Sequence, residues 1–315
     1  MEEPTSSAAL RFSEVRKRFG ATRALDGLNL EVPRGSFFGL IGPNGAGKTT
    51  AFSLACGFLQ ADGGELEILG ERGFDITRLK GRLGALPQDA TLGRETRCQE
   101  HLRHFARLQG LSPQQAQQQA ERRLDEVGLA DRANHRVKTL SHGMLRRLAV
   151  AQALLGEPEL VLLDEPTSGL DPRHAHEVRE LLKQVRTAGR TVVVSSHNLH
   201  ELESLCDQVA LVDRGVVVTA GPMDVVTGRG QEIAIAIGAG SDGQTLLEAV
   251  QKAVGEGEVK WEPQPRRFQI VVRANDERAA EDVIGSVLRV LLDAGARISE
   301  VRRGSSLEQK FLQIK

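Results

Sequence analysis

Between Gly42 and Thr49 the chain reads Gly-Pro-Asn-Gly-Ala-Gly-Lys-Thr, followed by Thr50. Three glycines, an ammonium and two hydroxyls at this spacing suit a polyanion. Gly42, Gly45 and Gly47 let the backbone curl until its N–H groups converge on an anion, and a helix starting at the end of the loop adds a partial positive charge. Lys48 can reach the β- and γ-phosphates of a nucleoside triphosphate, and the Thr49 hydroxyl is a hard oxygen ligand for Mg²⁺. Pro43, Asn44, Ala46 and Thr50 complete the stretch expected to line the phosphates. A glycine-rich turn holding a structural lysine is the bland alternative. It loses weight because the apolar run 36–41 suits a buried strand and residues 49–55 can begin a helix, which is the order this chemistry needs.

Two carboxylates, Asp164 and Glu165, end a second apolar run at 160–163 and precede Pro166. In open α/β sheets, ligands bind outside the carboxyl ends of strands. Asp164 is thus placed to bind Mg²⁺ directly or through water, and Glu165 to orient or deprotonate an attacking water, as phosphoryl transfer requires. A solvated Asp-Glu pair at a helix start is the competing reading, weak once the phosphate loop lies upstream. The run Val192-Val193-Val194-Ser195-Ser196 ends in His197, whose imidazole would meet the γ-phosphate or the water; a lone histidine is otherwise structural or surface-exposed. Gln88, after Pro87, is either an ordinary loop amide or a neutral oxygen ligand that completes the Mg²⁺ shell and leaves when the loop moves. In Leu140-Ser141-His142-Gly143-Met144, Ser141 is a good N-cap for the helix that follows. A capped helix start beside Gly143 is also a second anion site. One nucleotide hardly needs two such sites on one chain. Ser141 and Gly143 are therefore expected to meet the nucleotide held by another subunit.

Positioning these groups takes a parallel sheet. Buried strands at 160–163 and 191–194 flank an amphipathic helix at 175–186, which implies a doubly wound α/β arrangement. Upstream, residues 10–17 and 28–32 alternate as two antiparallel strands, with Gly20 and Asp26-Gly27 as turns; 66–69 reads as an edge strand and 82–86 as a strand ended by Pro87. Residues 95–156 form a helical insert rich in Gln, Arg, Leu and Ala. Within it Ser112-Pro113 marks a helix start, and Ala116, Ala120, Leu124 and Val127 make the glutamine run a solvated helix face. Strands at 208–212 and 216–220 meet at Asp213-Arg214-Gly215, and a small helix begins at Gly221-Pro222. Gly228-Arg229-Gly230 marks a boundary, so two domains are expected, 8–227 and 231–315. The second reads strand 232–237, helix 245–254, strands 258–261 and 268–273, helix 276–294 and strand 297–303, the β-α-β-β-α-β order of a small ferredoxin-like α+β domain.

Composition narrows the partners. The 315 residues carry 41 Lys plus Arg against 42 Asp plus Glu, so no basic excess is available for a nucleic-acid footprint. Aromatics make up 3% with no tyrosine, too few for base-stacking platforms. Cys56, Cys98 and Cys206 are far apart and odd in number, which fits a reducing compartment rather than a disulfide framework or a zinc site. Residues 1–7 are acidic and polar, unlike a signal peptide, and no run approaches the roughly eighteen apolar residues of a spanning helix. A membrane role is expected to go through a separate chain.

As a set, these motifs resemble the nucleotide-binding subunit of ATP-binding cassette (ABC) transporters. The matching parts are the phosphate loop Gly42–Thr49, a glutamine loop at Gln88, and a signature at Leu140–Met144 with Arg146-Arg147 beyond. Asp164-Glu165, the dimer-contacting loop Ser168-Gly169-Leu170-Asp171 and the switch histidine His197 complete it, in order, over residues 10–225. The resemblance implies a P-loop NTPase cassette with an antiparallel β subdomain and a helical insert. It implies two cassettes stacked head to tail on two ATP, each phosphate loop facing the partner's signature. It also implies that Phe19 stacks on adenine, where the residue alone could as well be hairpin core. The signature differs from the usual L-S-G-G-Q at His142 and Met144 and keeps Ser141 and Gly143; His142 adds an imidazole, a group that titrates near neutrality. The tail at 301–312, with Ser306-Leu307-Glu308 and Phe311-Leu312, is similar to the end of export-type cassettes that serve drug, sodium and polysaccharide exporters.

The expected function is an ATPase subunit that powers export through an integral-membrane permease by ATP-driven dimerisation. ATP and Mg²⁺ are its expected cofactors, and a second copy of the chain and the permease its partners. A peripheral place on the cytoplasmic face of the cell membrane follows, with residues 88–110 turned to the permease. A soluble cassette ATPase of translation or DNA repair is disfavoured by the single cassette and balanced charge. A non-hydrolysing clamp is disfavoured by the presence of Lys48, Glu165 and His197.

Overall fold

The computed structural model describes residues 8–73, 76–186, 189–197, 199–227, 232–238, 242–255, 257–264, 266–271 and 277–304. The expected boundary Gly228-Arg229-Gly230 and the tail motif from Ser306 to Leu312 lie outside the described residues. The chain divides into two compact units, residues 1–220 and 221–315.

The first unit opens on a long hairpin, β1 (Ala8–Phe19) and β2 (Thr22–Pro33), turned at Gly20-Ala21. Leu10 faces Val32, Phe12 faces Leu30 and Val15 faces Leu28, all buried, so cross-strand apolar pairs fix the register. Asp26-Gly27 is not a turn. Gly27 (φ 84°) lies within β2 near Glu14 (φ 50°), where the β1–β2 register shifts, so the glycine serves a β-bulge that a sequence pattern reads as a break. Next come β3 (Phe37–Ile41), α1 (Lys48–Ala55), β4 (Gly63–Ile68), β5 (Glu71–Arg72) and β6 (Leu83–Leu86). The antiparallel sheet runs β2-β1-β4-β5, so β4 is not the edge strand expected at 66–69; the two-residue β5 covers it.

The helical insert holds α2 (Cys98–Leu108), α3 (Pro113–Glu126) and α4 (His142–Ala153). Ser112 caps α3 in a reciprocal box with Gln115, and Ala116, Ala120 and Leu124 are its buried face. Glu157 (φ 59°) fastens the insert to the following strand: Arg122 reaches it at 2.8 Å, the fully buried Arg123 at 2.5 Å, and Arg190 also pairs with it. Then follow β7 (Leu160–Asp164), α5 (Pro172–Arg186), β8 (Thr191–Ser196), α6 (Leu199–Leu205), β9 (Gln208–Asp213), β10 (Val216–Pro222) and α7 (Met223–Val226).

The second sheet runs β10-β9-β3-β8-β7-β6, with β9, β3, β8, β7 and β6 paired in parallel. Strands β3, β7 and β8 are buried along their whole length, which is why they read as unbroken apolar runs. Their carboxyl ends are level: Ile41 pairs with Ser196, Ser195 with Asp164, and Leu163 with Leu86. That edge gathers the chemistry.

The other unit, which begins at Gly221 and so takes in α7, continues with β11 (Glu232–Ile237), α8 (Gly243–Val254), β12 (Glu258–Glu262), β13 (Arg267–Val271), α9 (Glu277–Asp293) and β14 (Ile298–Arg303). Its sheet runs β12-β13-β11-β14, antiparallel throughout. Ile233, Ile235 and Ile237 alternate into a core with Phe268, Ile270, Val250 and Leu291. Among the described residues no helix is long and apolar enough to cross a membrane.

Candidate functional site

The phosphate loop leaves β3 and enters α1. Gly42 is pressed against β9, where a Cβ would lie 2.3 Å from the Val212 carbonyl oxygen. Gly47 caps α1 at φ 107° and offers no side chain to satisfy the first turn of amides, so α1 presents a bare N-terminus to the loop. The loop is also wedged from outside. The Ala46 carbonyl accepts from the Gly215 N–H at 2.9 Å, and the Gly215 carbonyl accepts from the Asp26 N–H at 3.1 Å. A Cβ on Gly47 would lie 2.6 Å from the Ala24 oxygen, and one on Gly215 2.7 Å from that same atom. Lys48 is buried, and its Nζ donates to the carbonyls of Gly42 at 2.7 Å and Pro43 at 3.1 Å. Burial pushes its pKa down, while Glu165 and Asp164 oppose the shift.

Asp164 and Glu165 are both buried at the end of β7. The Ser195 hydroxyl donates to Asp164 Oδ1 at 2.5 Å and accepts from the Glu165 N–H at 2.9 Å. Burial raises the Asp164 carboxyl, while Ser195 and Thr49 pull the other way. Glu165 sits in the left-handed region at φ 52°. Its Oε2 lies 2.7 Å from Nδ1 of His197; with the carboxyl ionised, that nitrogen carries the proton and donates it. Lys48, Thr49, Asp164, Glu165 and His197 thus share one sheet edge. Gln88 lies at the carboxyl end of β6 on the same edge, exposed in the turn after Pro87.

Ser141 caps α4, its Oγ accepting from the Met144 N–H at 3.3 Å, and both Ser141 and His142 are exposed. Gly143 is buried beneath the His174 ring. Phe19 ends β1 with 48% of its surface exposed and the Lys17 ammonium 5.8 Å from its ring centre, so it is not hairpin core.

Residues 25–168 match the family model described as ABC transporter. That segment is similar to the ABC transporter family. The cassette is similar to the Nod factor export ATP-binding protein I of Cupriavidus pinatubonensis, 40% identical over 62% of this chain and 60% of that protein. It is similar to the linearmycin resistance ATP-binding protein LnrL of Bacillus subtilis, 34% identical over 60% and 61% of the two chains. It also resembles the daunorubicin resistance ATP-binding protein DrrA3 of Streptomyces coeruleorubidus, 38% identical over 62% of each. The chain spans less than two thirds of the length of these curated relatives. Among solved structures, a dimeric ATP-binding cassette in a post-hydrolysis state with ADP and Pi matches at TM-score 0.62 and 25% identity, over 68% of this chain and 98% of that one. A Clostridium perfringens subunit of an ABC transporter complex matches at TM-score 0.64 and 26% identity, over 71% of this chain and 92% of that one.

The structure adds Glu201, which sequence reasoning missed, and gives Arg146, quoted there only beside the signature, contacts in this site. Arg146 of α4 donates from Nε to the Pro166 carbonyl at 2.8 Å, and from Nη2 to those of Asp164 at 3.1 Å and of Glu165. Its signal was a charged residue one turn beyond the buried Gly143 and one turn before the buried Val150. Glu201 of α6 is buried and accepts from Thr167 at 2.7 Å and Ser196 at 3.2 Å, with burial raising its carboxyl. It ties the start of the loop 167–171 to the end of β8. Chemically, the edge offers a cation for phosphate oxygens, a hydroxyl–carboxylate pair for a hard metal, and a carboxylate oriented by an imidazole.

Proposed function

We propose that this cassette hydrolyses ATP and powers export through a separate membrane permease, two copies closing head to tail on the nucleotide. The observation that carries the reading is the convergence of Lys48, Asp164 and the Glu165–His197 pair on one sheet edge. Gly42, Pro43, Asn44, Gly45, Ala46, Gly47, Lys48, Thr49 and Thr50 would hold the phosphates, with Lys48 on the β- and γ-groups. Thr49 at the start of α1 and Asp164 at the end of β7 offer hard oxygens, which fits Mg²⁺, and Gln88 would add a third. When bound, that ion neutralises charge on the β- and γ-oxygens. Glu165 would hold the water and take its proton. His197 fixes one oxygen of that carboxylate and leaves the other for the water.

Ser141 and Gly143 would complete the partner's site from the start of α4, and Phe19 would stack on adenine. The names of the relatives, export and drug resistance, support an exporter. A cleft of about 290 Å³ between Ala90–Arg94 and His142–Ala149 supports a permease-facing role for the segment after Gln88. The antiparallel order β12-β13-β11-β14 supports reading 231–315 as a ferredoxin-like accessory domain beside a cassette at 8–227.

Steady-state ATPase assays of the wild type and Glu165→Gln, with size-exclusion chromatography, test this. The wild type should turn over, and the variant should lose about 10²- to 10⁴-fold in rate and accumulate as an ATP-bound dimer. A variant that stays monomeric at saturating Mg·ATP while binding nucleotide normally would overturn the head-to-tail assembly. Copurification of a polytopic membrane chain tests the permease.

A further inference from the structure

We infer that Arg146 is a positioning residue for Glu165, fixing the peptide from which that carboxylate is presented to the water. The inference rests on the ATPase reading above. Strand β7 ends at Asp164, so the carbonyls beyond it leave the sheet ladder and need other donors. One guanidinium supplies them: Nε serves Pro166, and Nη2 serves both Asp164 and Glu165. The Glu165 carbonyl also accepts from Ser168 N–H at 3.1 Å.

The need for this clamp lies in the backbone of Glu165. At φ 52° it holds a conformation that non-glycine residues keep only where their surroundings impose it. Three elements impose it here. Ser195 of β8 accepts from its N–H at 2.9 Å, His197 holds its side chain at 2.7 Å, and Arg146 of α4 bonds its carbonyl. Of the three, only Arg146 comes from the helical insert. It stands one turn along the same helix from Gly143, so a shift of α4 when its start meets a phosphate is passed to the Glu165 peptide. A planar fork reaches three carbonyls at once, which a lysine ammonium on a flexible stem does not.

The full chain is tested as R146M and R146K. The measurements are ATPase against ATP concentration, affinity for a fluorescent ATP analogue, dimer trapping in the Glu165→Gln background, and thermal melting. R146M should lose about 100-fold in kcat, as a displacement of roughly 1 Å at a reacting group does. KM, nucleotide affinity and dimer trapping should be unchanged. R146K keeps stem and charge but not the fork, and should still lose about tenfold or more in kcat. Wild-type kcat in R146K would overturn the inference, as would losses of kcat that only track a fall in folded protein. Should R146M fail to fold, R146K decides alone. Absence of turnover in the wild type overturns the ATPase reading and this inference together, whereas turnover in R146K equal to wild type overturns this inference alone.

Discussion

The ring of His174 covers Gly143 so closely that a methyl group there would lie 2.5 Å from its Cδ2 and 2.9 Å from its Cβ. The ring is tethered. Its Nδ1 bonds Asp171 Oδ2, and Asp171 Oδ1 accepts from the N–H groups of Arg173 and His174, each at 3.1 Å. Gly143→Ala is therefore expected to push the start of α4 off α5 and lower ATPase about tenfold to 100-fold. Gly143→Ala with His174→Ala should recover much of the loss. The double-mutant cycle checks it: no recovery means the ring is not the obstacle.

Asp164 should trade stability for function. Burial is the main cause of its raised carboxyl, set against the pull of Ser195 and Thr49. A raised carboxyl binds more protons folded than unfolded between its two pKa values, so stability falls as pH rises through that window. Above the window the ionised group costs the fold its full amount. Asp164→Asn keeps an acceptor for Ser195 and removes that cost. Its melting temperature without nucleotide should exceed wild type at pH 7.5 by about 2–4 °C for each kcal/mol relieved, while ATPase is lost. The advantage should shrink in acid. A variant no more stable than wild type at pH 7.5 would contradict this.

His101 works with the opposite sign. Burial lowers its pKa, against a hydrogen bond to Gln152 at 2.7 Å, and nearby His104 lowers it further. The folded state then binds fewer protons than the unfolded one below the ordinary histidine value, so stability present at neutral pH is lost as pH falls toward the depressed value. Melting curves from pH 7 to pH 5 should fall more steeply for wild type than for His101→Gln. Parallel curves would exclude His101 as the source.

Phe19 should matter to nucleotide and not to folding. Half of its surface is exposed at the end of β1, so Phe19→Ala removes little core. If the ring stacks on adenine, KM for ATP should rise about tenfold, the value of one base–aromatic contact, with an unchanged melting temperature. An unchanged KM would remove Phe19 from the nucleotide site.

What sequence rules reach is local. The phosphate loop, the capping box of Ser112 with Gln115 and the buried strand ending at Asp164 each obey a rule confined to a few neighbouring residues. Asp26-Gly27 misled because a bulge and a turn ask for the same glycine conformation, and only the partner strand tells them apart. The two-residue β5 was too short to carry a pattern. His174, Glu157 and the contacts of Arg146 escaped for another reason. Their partners lie elsewhere in the chain, at Gly143, Arg190 and Pro166, and only the folded packing brings them together.

The wedge around Gly47 has a bearing on how the protein is made. Ala24, Ala46 and Gly215 meet at one point, yet the ribosome delivers the last of them long after the first two. A nascent chain that stops short of residue 215 already contains the whole octapeptide but not the turn that braces it. The loop can therefore be braced only late in translation, once residue 215 has emerged from the exit tunnel.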